Sequence, residues 1–159
     1  MTMLPVAAHI PAAAVSGQPF ATVTLEADER RLRRKALRLS TGEDVLLDFP
    51  ATITLADGDA LQLADGRLVG IRAAQEVLYE VTARDQAHLV RLAWHIGNRH
   101  LPAQLEAGRL LIRRDHVIRE MLVGLGATVR DVEATFSPEH GAYHGHSHGA
   151  ENHVLRLHR

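Results

Sequence analysis

The chain contains no cysteine, and its aromatic residues are limited to one Trp, two Tyr and three Phe. The absence of cysteine excludes disulfides, iron–sulfur clusters and thiolate metal sites. Any metal ion must therefore be held by nitrogen and oxygen ligands, and copper(I), which prefers sulfur, is disfavoured.

Long apolar runs and a strong net charge are missing as well. No stretch approaches the roughly 20 apolar residues that a membrane-spanning helix needs. The segment from Met1 to Ala21 is rich in alanine, but no Lys or Arg precedes it, and Pro5, His9 and Pro11 interrupt it. We therefore expect mature, cytoplasmic sequence rather than a signal peptide. The formal net charge of −1 offers no general attraction to nucleic acid or to an anionic membrane, so we predict neither as a partner.

One local exception to this neutrality is the basic run from Arg30 to Lys35. Asp28 and Glu29 precede it, and no aromatic residue interleaves with it to stack on bases. We interpret it as the solvated edge of a sheet, where charge also discourages pairing with another sheet.

Histidine, by contrast, is abundant, and six of the eleven histidines fall between His140 and Arg159. In this segment His144, His146 and His148 alternate with glycine and serine, in a stretch too polar and flexible to pack a core. Imidazole is the commonest protein ligand for zinc, copper and nickel. The segment is predicted to be a flexible metal-binding tail, although the same composition occurs in expression tags and in solvated termini.

The first half of the chain shows short period-two runs separated by turn residues, which is typical of strands. The predicted strands cover residues 21–25, 35–40, 45–48, 51–55, 60–63 and 67–71. Asp57-Gly58 and Asp65-Gly66 lie between the later runs, and such pairs are strong hairpin signals. We predict an all-β domain over residues 1–73.

The second half, residues 74–140, alternates between strand-like and helical patterns. A strand at 77–81 is followed by a helix at 84–96, with Leu89, Val90, Ala93 and Trp94 as its predicted buried face. Strands at 103–106 and 109–113 precede a second helix, which Asp115 caps and which Gly126 ends. A last strand covers 128–136. The order βαββαβ predicts a ferredoxin-like α+β sandwich, followed by a tail at 141–159.

The second predicted helix buries one apolar stripe. Its members are Val117, Ile118, Met121, Leu122 and Leu125. At the start of this helix, His116 is a further candidate ligand, because the positive end of the helix dipole favours neutral imidazole. The same field opposes a bound cation, and one histidine cannot hold a metal ion tightly. Two copies of His116 brought together in a symmetric dimer, with tail histidines added, could form an exchangeable site.

Three other histidines are expected to have structural roles and not to bind metal. His88 and His95 are seven residues apart, whereas a two-ligand site on a helix requires i, i+4 spacing, so both are expected at the solvent edge of the apolar face. His100 follows a helix end and is expected to bond backbone there.

Motifs of catalysis are absent from the sequence. It has no HExxH, no G-x-S-x-G elbow and no phosphate-binding loop. A hydrolytic metal site also needs rigid ligands and an open position, whereas these histidines cluster in a polar tail. We predict that the chain is not an enzyme, and a general buffer for zinc, copper or nickel is the alternative to a more specific metal-handling role.

Several motifs, in this order, resemble those of the urease accessory protein UreE family of nickel metallochaperones. They are His95-Ile96-Gly97-Asn98-Arg99-His100, Arg114-Asp115-His116-Val117-Ile118, Met121-Leu122, Phe136-Ser137-Pro138-Glu139 and Gly141-Ala142-Tyr143-His144. The resemblance covers nearly the whole chain.

This resemblance implies an N-terminal β domain that binds partner proteins and a C-terminal ferredoxin-like domain that dimerises and binds metal. It implies that His116 meets its symmetry mate to bind one Ni²⁺, that His144 and His146 complete this site or bind further metal, and that the motif ending at His100 is structural. Zn²⁺ or Cu²⁺ would compete for such ligands. The implied partners are the urease accessory GTPase UreG and the urease apoprotein complex.

Overall fold

The computed structural model describes residues 3–141, which form two β-sheets with few helices. The first half supplies six strands and one short helix. They are β1 Leu4–Ile10, β2 Ala21–Leu25, α1 Ala27–Arg30, β3 Arg31–Arg38, β4 Asp44–Thr54, β5 Ala60–Leu63 and β6 Leu68–Ala73. A 3-10 turn also occurs at Ala12–Ala14. None of the helices within residues 3–141 has the length and apolar character needed to cross a membrane.

The first sheet has the strand order β2-β6-β5-β1-β4-β3 and closes around one apolar core. Alternate residues of its strands point inward, as Val45 and Leu47 do on β4, where both are fully buried. Both predicted aspartate-glycine turns are present, and Gly58 and Gly66 adopt φ values of 85° and 90°. Positive φ strains residues that carry a Cβ atom, which explains glycine at these positions.

Two strand predictions for this half need correction. β1 was not predicted, because Pro5 and several alanines obscure its alternation, yet it lies inside the sheet between β4 and β5. The predicted strands at 45–48 and 51–55 are one strand, β4, which continues through Pro50. This is possible because β3 pairs with both ends of β4 and leaves residues 49–52 outside its register. Residues 31–35 of the basic run lie on β3, at the end of the sheet order, as predicted, but the prediction is wrong for Arg30, which ends α1 and is buried.

The second half forms an antiparallel four-stranded sheet of order β10-β7-β9-β8. Its elements are β7 Gln75–Thr82, α2 Gln86–Asn98, β8 Ala103–Leu105, β9 Leu110–Arg113, α3 His116–Gly124 and β10 Thr128–Thr135. Both helices pack on the face that carries Tyr79, Val81 and Ile112. The predicted order of strands and helices is therefore present.

The buried face of α2 differs from the prediction. Val90 and Trp94 are 61% and 64% exposed, whereas His88, Leu89, Leu92 and Ile96 are buried. The apolar pattern was ambiguous because either stripe contains apolar residues at helical spacing. On α3, Ile118 and Leu122 are buried as predicted, but Val117 is 54% exposed.

The opposite face of the second sheet packs against the first domain. Leu78, Leu111 and Phe136 form a small buried cluster with Ala27 of α1. The Arg30 side chain, 2% exposed, donates hydrogen bonds to the carbonyl oxygens of Leu25, Leu55 and Phe136 and thereby joins both domains. The two domains thus share a packed and hydrogen-bonded junction.

Candidate metal-binding end of the second domain

Three connections of the second domain meet at one end of its sheet. Antiparallel register pairs Ala103, the first residue of β8, with Ile112 near the end of β9. The next residue of β9, Arg113, pairs with Leu78, the fourth residue of β7. The last residue of β10, Thr135, pairs with the first residue of β7. The segments before β8, after β9 and after β10 therefore emerge at the same end of the sheet.

Each of these segments carries one histidine. His100 lies before β8, His116 follows β9 and His140 follows β10. We call the end of the sheet where these three segments emerge the histidine end. The sequence alone gives no sign of this convergence, because the residues are 16 and 24 positions apart and only the sheet register brings their segments together.

His100 ends α2 through its backbone and presents its side chain to solvent. Its φ of 58° is the only positive value at a non-glycine residue within residues 3–141, and its N–H donates to Gly97 O at 3.0 Å. This backbone role agrees with the structural interpretation of the motif. The side chain, however, also lines a cavity of about 660 Å³ between the domains, so His100 is an additional candidate ligand.

His116 is exposed in the first turn of α3, and its neighbours hold that turn in place. The Asp115 side chain accepts hydrogen bonds from the N–H groups of Val117 and Ile118 at 2.9 and 3.2 Å. The Arg114 guanidinium donates to Leu78 O and Val132 O, both at 3.1 Å. The backbone on either side of His116 is thus tied to the helix and to two strands.

His140 stands where the described part of the chain ends. Glu139 N–H donates to Ala103 O at 2.8 Å, which lays the segment against β8, and His140 Nε2 lies 3.3 Å from Thr54 Oγ1 of the first domain. His140 and Gly141 line the same cavity as His100. The last described residue, Gly141, therefore lies at the histidine end.

A smaller cavity of about 230 Å³ lies beside the first one, and Leu101 and Pro102 line both. Arg114 and Asp115 also line the smaller cavity, whereas the next residue, His116, does not.

Among residues 3–141, no three His, Asp or Glu side chains are close enough together to hold a metal ion. A complete site at the histidine end would need ligands from the tail or from another chain. The predicted ligands His144, His146 and His148 lie outside the described residues.

His88 is not at a solvent edge, which corrects the sequence interpretation. Its side chain is buried, its Nδ1 accepts from Arg84 N–H at 3.1 Å, and its Nε2 lies 2.8 Å from Leu125 O. Both ring nitrogens are therefore satisfied by backbone, with the proton on Nε2. His95 is partly exposed and packs edge-on against Trp94. Neither residue lines the cavities of the histidine end.

Comparison with known proteins identifies the class to which this chain belongs. The model of the N-terminal domain of the UreE urease accessory protein matches residues 3–74, and that of its C-terminal domain matches residues 76–159. Together they cover almost the whole chain, including the tail. The chain is therefore an accessory protein of urease rather than an enzyme, as the absence of catalytic motifs predicted.

Individual relatives agree. The urease accessory protein UreE of Agrobacterium fabrum is 54% identical over 149 residues, covering 92% of each chain. UreE of Brucella anthropi is 58% identical over 135 residues, covering 84% of this chain and 79% of its own. UreE 1 of Brucella suis is 57% identical over 131 residues, covering 82% and 81%. The chain belongs to the UreE family, which implies a role in urease maturation and confirms the resemblance found in the sequence.

Proposed function

We propose that this protein is a nickel metallochaperone that delivers Ni²⁺ for assembly of the urease active site. The carrying observation is the histidine end, where His100 and His140 line one cavity and the segment carrying His116 follows the end of its strand, without a complete metal site among residues 3–141. Such an arrangement supports a site that a second copy of the chain and the tail complete. Nickel is the cargo in this proposal, and imidazole suits it.

The proposed site uses His116 from both protomers of a homodimer formed by the second domain, with His144, His146 and His148 as tail ligands. His100 is added because it shares the cavity wall with His140 and Gly141. The exposed apolar side chain of Val117, next to His116, supports a contact between copies in this region.

Release of nickel, in this proposal, uses ligands from the tail, residues 141–159, whose composition predicts flexibility. A ligand set drawn partly from a flexible segment can be lost one imidazole at a time, so a receiving protein can replace each ligand in turn. The proposed receivers are the accessory GTPase UreG and the urease apoprotein complex, in the cytoplasm. The first domain, residues 1–73, is proposed to bind partner proteins.

The second domain, residues 74–140, is proposed to be ferredoxin-like. Its βαββαβ order, its antiparallel strand order and its two helices on one face support this assignment. The fold alone carries no function, which rests on the histidines and the family.

Equilibrium dialysis with nickel, combined with light scattering, tests the proposal. We would compare the full chain, a chain ending at Tyr143, His116→Ala and His100→Ala, with His95→Ala as the control because His95 lies within α2, packed edge-on against Trp94. The full chain should be a dimer, and truncation should remove extra ions but keep one Ni²⁺ per two chains. Loss of this ion in His116→Ala or in His100→Ala identifies its core ligand.

Three results would contradict the proposal: a monomer, loss of all binding on truncation, or an unchanged tightest site in both histidine variants. A tail-only buffer would then be the better account. Competition with zinc and copper(II) addresses the same alternative, because a buffer should follow the general preference of imidazole sites for copper and should show no nickel-dependent binding of UreG.

A further inference from the structure

The cavity between the two domains has a mixed lining that suits a short amphipathic peptide. Its apolar wall comes from Ala27, Leu101, Pro102 and Pro138. Its charged side chains are Asp28, which is paired with Arg113, and Arg31 and Glu139. Glu139 donates its backbone N–H to Ala103 O, but its carboxylate makes no hydrogen bond or ion pair within residues 3–141. A peptide with branched apolar side chains and one cation would match both parts of this lining.

The chain itself contains such a peptide near its end. Val154-Leu155-Arg156-Leu157 is the only cluster of branched apolar residues after Gly141, and its arginine interrupts the apolar positions. The proposed metal ligands do not include it. We propose that this segment, Val154 to Leu157, docks into the interdomain cavity of its own chain, with Arg156 directed to Glu139.

The point where the described chain ends favours this occupant over others. Gly141 lies on the cavity wall, so the docking segment is tethered to its own receptor by residues 142–153. A linker of about a dozen residues can extend to roughly 40 Å, which is ample for a return to its starting point. Its closure cost grows only slowly with length, and the tether gives an effective concentration on the order of millimolar.

Docking would close the tail into a loop that begins and ends at the histidine end. His144, His146 and His148 all lie within this loop, between Gly141 and Val154. They would then stay near His100 and His140 rather than sample the full reach of a free terminus. This consequence for metal capture rests on the proposed function, whereas the docking itself does not.

Because the chain has no cysteine, disulfide trapping can test the docking directly. The test pair is Gly97→Cys with Leu155→Cys in the full chain, without metal and with a chelator. Gly97 lines the cavity, and an added Cβ there meets no atom within 4 Å. The control pair is Gly108→Cys with Leu155→Cys, since Gly108 is equally open but lies in the β8–β9 turn at the far end of the sheet.

Mass spectrometry under non-reducing conditions measures how fast each pair forms a disulfide. We expect a disulfide within one chain for the Gly97 pair, at least several-fold faster than for the control pair. Equal rates for the two pairs, or no disulfide, would show that the segment does not dock. A disulfide between two chains would assign the cavity to a partner's tail and would also overturn the proposal.

Amide hydrogen exchange gives a second readout without cysteines. The double substitution Leu155→Asp and Leu157→Asp should speed exchange at His100 and Leu101 several-fold, whereas Asn152→Asp should leave it unchanged. Identical exchange in all three proteins contradicts docking. Since no nickel is present, this failure is separate from any failure of the dialysis experiment.

Discussion

His88 Nε2 lies 2.8 Å from the carbonyl oxygen of Leu125, and this contact joins the first turn of α2 to the end of α3. His88→Ala would leave Leu125 O and Arg84 N–H without their partner and would create a cavity. We expect unfolding free energy to fall by about 2 to 4 kcal/mol, measured by urea denaturation at fixed protein concentration. His95→Ala, on the same helix but partly exposed, should cost less than about 1 kcal/mol. Equal losses would contradict a structural role for His88.

Asp115 and Asp85 provide a matched pair of helix caps. Each accepts backbone hydrogen bonds in the first turn of its helix, Asp115 on α3 and Asp85 on α2. Asp115→Ala and Asp85→Ala should each cost about 1 kcal/mol of stability. Only Asp115→Ala should also weaken nickel binding in dialysis, because it frees the turn that carries His116. If both variants bind nickel equally well, the geometry of this turn does not matter to the site.

Arg30 should control the coupling of the two domains. Arg30→Met removes the donor shared by carbonyl oxygens of both domains, and we expect a loss of about 3 kcal/mol. Limited proteolysis should also cut faster around Ala74, between β6 and β7. Arg34→Met is the control, since Arg34 is exposed on β3, and its stability should change by no more than about 0.5 kcal/mol. Unchanged cleavage in the Arg30 variant would show that apolar packing alone holds the junction.

Asp59 should make the first domain sensitive to acid. Burial opposes ionisation of its carboxyl, but hydrogen bonds from Ala56 N–H, His9 and Ala12 N–H outweigh that effect and lower its pKa below the ordinary value. A depressed pKa adds stability that is fully present above the unfolded value of about 4 and is lost as pH falls through the folded value.

The variant Asp59→Asn should therefore be less stable than the parent at pH 7, and its stability should fall less steeply between about pH 4 and pH 2. Denaturant midpoints across this range measure the slope. Asp48→Asn, which removes an exposed carboxylate of the same domain, is the control for the substitution itself. A parallel acid slope in the Asp59 variant would contradict the assignment.

The strand and helix order could be predicted because local signals were strong. Asp57-Gly58 and Asp65-Gly66 mark their turns, and Asp115 and Gly126 bound α3 as predicted. β1 was missed, because its place inside the sheet depends on pairing with β4 and β5, which no local pattern encodes.

The candidate site was predicted only in part. His116 carried a family motif and a helix-start signal, so it could be singled out from the sequence. His100 also carried a family motif but was interpreted as structural, since its approach to the end of the described chain depends on the register of β8, β9 and β10. For α2, periodicity could not distinguish the stripe containing Val90 and Trp94 from the one containing His88 and Leu92, because both are partly apolar.

A single residue, Ala74, separates β6 from β7, and its N–H already donates to Leu25 O at 2.8 Å. The connection between the two domains is therefore too short to allow much relative motion. A protein that binds the first domain would therefore be held in a fixed orientation relative to the histidine end. The connection at Ala74 would set the distance and the angle between that bound protein and the histidine end before any metal ligand is exchanged.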